Sequence, residues 1–159
     1  MSLGPSSHRG RPFPADGLPT ADIGSAGPSR RHPLTTTLGL DPVKEAALVA
    51  SQNDAFRRSI LGNILVTDAP QGQFVMTRGV AALGPDAQLA LTRSVASFDA
   101  FNADSDPQGW HEMGVIDLDG TKVWFKIDLY DVDYTYGSPE PSDPDQTRRV
   151  LTLLLPSEY

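Results

Sequence analysis

The sequence predicts an α+β fold, an antiparallel sheet of four to five strands with two main helices packed on it, preceded by a disordered tail. Three observations predict it. Apolar residues recur at helical spacing in two segments, two β-rich runs flank Asp119-Gly120, and the chain closes on the apolar run from Val150 to Leu155. The 159 residues leave room for one ordinary core and not for two.

Residues 1–40 hold six Pro and six Gly and show no apolar periodicity that would offset the entropy of ordering them, so they are assigned to the tail. Residues 41–159 form the single domain. Asp41-Pro42 opens its first helix, because Asp caps well and Pro at the first helical position gives up only an amide without a helical partner. Ala46, Val49, Ala50, Phe56 and Ile60 share one face, and Gly62 is the stop. Arg57 and Arg58 fall in the last turn, where the helix dipole favours cations.

Residues 64–67 and 73–77 are two short β-prone runs joined by a five-residue loop with Pro70 and Gly72, which reads as a hairpin. A second helix is expected over residues 85–101, since Ala87, Leu91, Val95, Phe98 and Phe101 recur three and four apart after Pro85. It should pack on the sheet.

Asp119-Gly120 suits a type I′ turn and pins the next hairpin in register. Leu118 then opposes Thr121, Asp117 opposes Lys122, Ile116 opposes Val123, Val115 opposes Trp124 and His111 opposes Asp128. Val123, Phe125, Ile127 and Leu129 alternate with Lys122, Trp124, Lys126, Asp128 and Tyr130, which assigns the first set to the core. The closing run is apolar on both faces and reads as an interior strand.

The chain contains no Cys, which excludes a disulfide framework, a thiolate metal site and a cysteine nucleophile. No apolar run approaches the length that spans a bilayer, so the expected setting is the cytoplasm, away from membranes. The net charge of −7 is unevenly spread: residues 99–145 carry twelve carboxylates against Lys122 and Lys126 alone, a net of −10. Such a surface repels nucleic-acid phosphates and suits a basic protein partner, a divalent cation or simply solubility.

Candidate metal ligands are Asp104, Asp106, His111, Glu112 and Asp128. Oxygen-rich loops of this type hold hard cations, and a carboxylate across the ladder would fix the His111 tautomer. Counted from Asn102, the loop departs from a calcium-binding pattern: Pro107 stands where the turn needs Gly, and Glu112 falls one position early. Equally, Asp and Asn side chains there would simply build the turn. Asp128, Asp131 and Asp133 do not make a two-metal site, because alternation sends Asp131 to the face opposite Asp128. Trp110, Trp124, Tyr130, Asp131 and Asp133 are candidate partner-binding residues, an aromatic and acidic surface. No Gly-rich phosphate loop, nucleophile elbow or His pair at helical ligand spacing is present. The sequence therefore favours a non-enzymatic interaction module over its alternative, a metal-dependent enzyme or metal-binding domain.

Several blocks in order, MTRGVAALG (76–84), FDAFNADSDPQGWHEMG (98–114), FKIDLYD (125–131), GSPEPSDP (137–144) and RVLTLLLPSEY (149–159), resemble the bacterial domain-of-unknown-function family numbered 3768. The resemblance implies an accessory protein of plasmids and other mobile elements, with no activity to carry over. Relatives typically read Asp-Asn-Asp-Pro and then Gly-Glu-His-Asp-Phe-Gly. This chain has Ser105, Trp110, Glu112 and Met113 at the departing positions and keeps Asp104, Asp106, Gly109 and His111.

Overall fold

Asp41 caps the first helix as its side chain accepts the Val43 N–H at 3.1 Å, and α1 runs Pro42–Ser59. The structure, a computed structural model, describes residues 39–62 and 68–159. The expected tail up to residue 38, and the expected strand at 64–67, lie outside the described residues.

After α1 come β1 (Gly72–Met76), the single turn α2 (Arg78–Ala81), α3 (Pro85–Ser97), β2 (Met113–Leu118), β3 (Thr121–Tyr130), β4 (Arg148–Leu154) and a closing 3-10 turn, Pro156–Glu158. The four strands form one sheet in the order β1-β4-β3-β2. β2 pairs antiparallel with β3 in the register set by Asp119-Gly120, including Asp117 with Lys122 and Val115 with Trp124. β4 is an interior strand, as its doubly apolar run requires.

The sheet is mixed and not purely antiparallel. β1 runs parallel to β4, with Phe74 beside Leu151 and Val75 beside Thr152. A parallel neighbour needs a long connection, and the helices α2 and α3 followed by the β2–β3 hairpin supply one. Hydrogen bonds from Arg149 N to Gln71 O (3.0 Å) and from Thr77 N to Leu153 O (2.9 Å) close the two ends of this ladder.

Phe56 of α1, Val80 of α2 and Leu91 and Val95 of α3 pack on Ile116, Val123, Phe125, Ile127, Leu151 and Leu153 of the sheet. The helices thus cover the face carrying the odd-numbered residues of β3 and β4. Burying side chains of this size stabilises by about 1.5–3 kcal/mol each. On the other face Trp124 packs edge to face on Tyr159, at 5.5 Å between centroids.

α3 stops at Ser97, short of the expected residue 101. The cause is Arg57, whose Nη1 donates to the carbonyls of Val95 (2.6 Å) and Phe98 (3.0 Å), satisfying acceptors that a helix end leaves open. Arg57 lies in the last turn of α1, as expected, but it is 1% exposed and binds the end of one helix to another. Its guanidinium also lies 5.0 Å from the Phe101 ring and 5.7 Å from that of Phe125.

Candidate functional site

Between α3 and β2 the chain turns through residues 98–112, and its own side chains build the turn. Asn102 Oδ1 accepts the N–H groups of Asp104 (3.0 Å) and Ser105 (3.1 Å). Asp106 is buried, and its two carboxylate oxygens accept the N–H groups of Trp110 and His111, each at 2.9 Å. Asp106 thus spends both oxygens on backbone, while Asp104 is exposed.

His111 does not stand across the ladder from Asp128. The β2–β3 pairing begins at Met113 with Lys126, preceded by one bond from Ile127 N to Glu112 O at 2.7 Å. At His111 the backbone turns left-handed, φ 55°, a conformation that a non-glycine residue adopts only when its surroundings hold it there. Three contacts do so. Asp106 fixes its N–H, its ring stacks on Phe101 with centroids 4.1 Å apart and planes within 1°, and Nδ1 lies 3.1 Å from each Asp54 oxygen.

Asp54 is held in turn by Arg57, through a short ion pair one helical turn along α1. Desolvation pushes the Arg57 guanidinium below its usual range, and the bond to Asp54 opposes that fall. Nδ1 faces two carboxylate oxygens and so carries a proton, with Asp54 as the acceptor; in the tautomer protonated only at Nδ1, Nε2 is an acceptor.

A second buried cation sits nearby on the same helix face. Arg149 of β4 is fully buried and donates to Asn53 Oδ1 (2.8 Å) and Gln52 Oε1 (2.5 Å). Burial lowers its pKa to about 10. Asn53 also donates to the Trp110 carbonyl at 2.9 Å, tying the loop to α1.

Two open grooves meet at His111. One, about 610 Å³, runs between the start of α1 (Val43, Ala46, Ala47) and the loop (Phe101, Pro107). The other, about 410 Å³, adds Ser51, Asp54 and Arg58. The remaining predicted residues lie elsewhere. Glu112 and Asp128 line a separate cleft of about 160 Å³ with Lys126 and Tyr159. There Lys126 Nζ pairs with Asp128 at 2.9 Å, and burial, then Asp106 and Asp128, push the Glu112 carboxyl up. Among the described residues no three His, Asp or Glu side chains gather as a metal-ligand group.

The predicted partner-binding residues are likewise spread. Trp124 and Tyr130 occupy the sheet face away from α1 and α3, whereas Trp110 belongs to the loop. Asp131 accepts the N–H groups of Thr135 (2.9 Å) and Tyr136 (3.3 Å) and so shapes its own loop, leaving Asp133 exposed. Sequence reasoning missed Asn53, Asp54 and Arg57. The available signal was that Asn53 and Arg57 interrupt the stripe Val49, Phe56, Ile60, which marks polar groups facing a core.

Residues 76–158 match the model of the family described as Protein of unknown function (DUF3768). The chain belongs to that family. The DUF3768 match runs from the end of β1 to the closing 3-10 turn, so it includes Phe101, Asp106 and His111 and leaves out α1 with Asp54 and Arg57. The site is therefore assembled across the edge of the DUF3768 segment. No curated protein and no solved structure matches the chain. Among the described residues no helix is long and apolar enough to cross a membrane.

Proposed function

We propose that this DUF3768 protein is an interaction module that binds a basic protein partner through its acidic surface, serving a mobile element as the family resemblance implies. One observation carries the reading. The two lysines of the acidic stretch are already beside carboxylates, Lys126 with Asp128 at 2.9 Å and Lys122 with Asp117 at 4.0 Å. Asp104, Asp133, Glu140 and Asp145 are exposed and have no cationic partner among the described residues. Carboxylates left unpaired in this way repel one another and are relieved by an incoming cationic surface. His111 and Asp54 form a dyad, but no hydroxyl or thiol nucleophile is hydrogen-bonded to it among the described residues, which favours binding over covalent catalysis.

Titration calorimetry with octalysine tests the reading. Binding should be measurable at low salt, weaken steeply as salt rises, and fall when Asp104, Asp133, Glu140 and Asp145 are changed together to Asn or Gln. Octalysine binding that is absent, or indifferent to those changes, would overturn it. Tight binding of calcium, magnesium, manganese or zinc in parallel titrations would favour the metal-dependent alternative.

A further inference from the structure

We infer that the groove between the start of α1 and the 101–111 loop seats a lysine or arginine side chain of a peptide, with His111 Nε2 accepting its N–H. The inference rests on the basic-partner reading and names where that partner docks.

His111 is fixed at every other point. Its N–H goes to Asp106, Nδ1 to Asp54 and one ring face to Phe101. Nε2 has no hydrogen-bond partner among the described residues, and the side chain is still 33% exposed. Holding the ring this way costs a left-handed backbone at residue 111 and the burial of Arg57 behind Asp54. A recognition group gains from being held in this way, because a preorganised acceptor loses little entropy on binding.

The choice of ligand follows from the lining. Val43, Ala46, Ala47, Phe101 and Pro107 give apolar walls suited to an aliphatic stem. The polar lining of this groove, Asn102, Asp106, Gln108 and His111, contains no Lys or Arg. Asp41 and Asp104, both exposed, flank the lining residues Pro42 and Ala103, against a single cation, Lys44, beside Val43; one Asp41 oxygen also caps α1. The neighbouring groove carries Arg58 and is the poorer seat for a cation. Charge and shape therefore agree on a cationic head with an apolar stem.

The test is octalysine titrated into isotopically labelled full-length protein, followed by NMR and calorimetry. Resonances of Ala47, Phe101 and the His111 ring should shift together. His111→Phe, which keeps the stacked ring and removes the nitrogens, should weaken binding about tenfold, the loss expected for one hydrogen bond to a charged group. Ala47→Gln, at an exposed helical position, narrows the groove without adding charge or disturbing the core, and should weaken binding similarly. Binding that persists within about twofold in both variants, with shifts confined to residues 131–145, would overturn this inference and leave the acidic-surface reading standing. Octalysine that fails to bind at all would overturn both.

Discussion

Nδ1 of His111 lies 3.1 Å from both carboxylate oxygens of Asp54, a residue 57 positions earlier in the chain. Asp54 serves two partners at once, because the buried Arg57 also pairs with it. Removing one member of a buried pair leaves the other charge uncompensated, typically at about 3–5 kcal/mol. Here the cost should be smaller, since Asp54 is 19% exposed and Arg57 keeps two carbonyl acceptors. Asp54→Asn should destabilise by about 2 kcal/mol in urea unfolding. A midpoint equal to that of the unaltered protein would show that the Arg57–Asp54–His111 chain contributes nothing to the fold.

Gly114, the second residue of β2, lies where the sheet meets the aromatic cluster. A methyl group there would stand 2.7 Å from both Phe125 Cζ and Phe98 Cε1. Those rings pack edge to face 5.1 Å apart, with Phe125 fully buried. Gly114→Ala should therefore cost about 1–3 kcal/mol through overpacking, read as a lowered melting temperature. An unchanged melting temperature would mean that the Phe98–Phe125 pair shifts freely.

Glu112 gives a pH dependence of definite sign. Burial first, then Asp106 and Asp128, raise its pKa above the ordinary value of 4.5. The native state thus holds this proton more tightly than the unfolded chain does. Its contribution favours folding fully below pH 4.5 and is lost as pH rises through the raised value. Glu112→Gln removes the charge, so the variant should melt higher than the parent at neutral pH. That advantage should shrink on acidification towards pH 4.5. Equal melting temperatures at neutral pH, or an advantage that grows on acidification, would contradict the assignment.

How far the fold was legible depended on how local its determinants were. Asp119-Gly120 sets the β2–β3 register through two adjacent residues, and Asp41 caps α1 through the N–H of Val43. Both lie within the reach of sequence pattern. The parallel pairing of β1 with β4 does not, because nothing within Gly72–Met76 names a partner beyond residue 147. The candidate site failed to show for the same reason. Extending the ladder to His111 assumed extended backbone, whereas the buried Asp106 carboxylate takes the N–H groups that a longer strand would have used. Arg57 at a helix end reads only as a cation suited to the dipole, and nothing local shows that the carbonyls of Val95 and Phe98 lie against it.

The end of the chain offers a last prediction, opposite in sign to that of Glu112. Glu158 reaches back over the 3-10 turn, accepting from Thr77 Oγ1 (2.5 Å), Gly79 N (2.8 Å) and Leu155 N (3.0 Å). These bonds join the end of β4 to the short helix α2 that follows β1, so the carboxylate fastens the two parallel strands at one end. The Thr77 bond first, then those from Leu155 and Gly79, hold the Glu158 pKa below 4.5. A depressed acid contributes stability above the unfolded pKa and loses it as pH falls through the folded value. Glu158→Gln should accordingly melt below the parent at neutral pH, with the gap closing in acid. Amide exchange gives the local readout: the protection of Gly79 and Leu155 N–H should fall in the variant by more than that of Val123 and Phe125 in the central sheet, which follows the global stability alone. Exchange at Gly79 no faster in the variant than in the parent would mean that the carboxylate does not secure this corner.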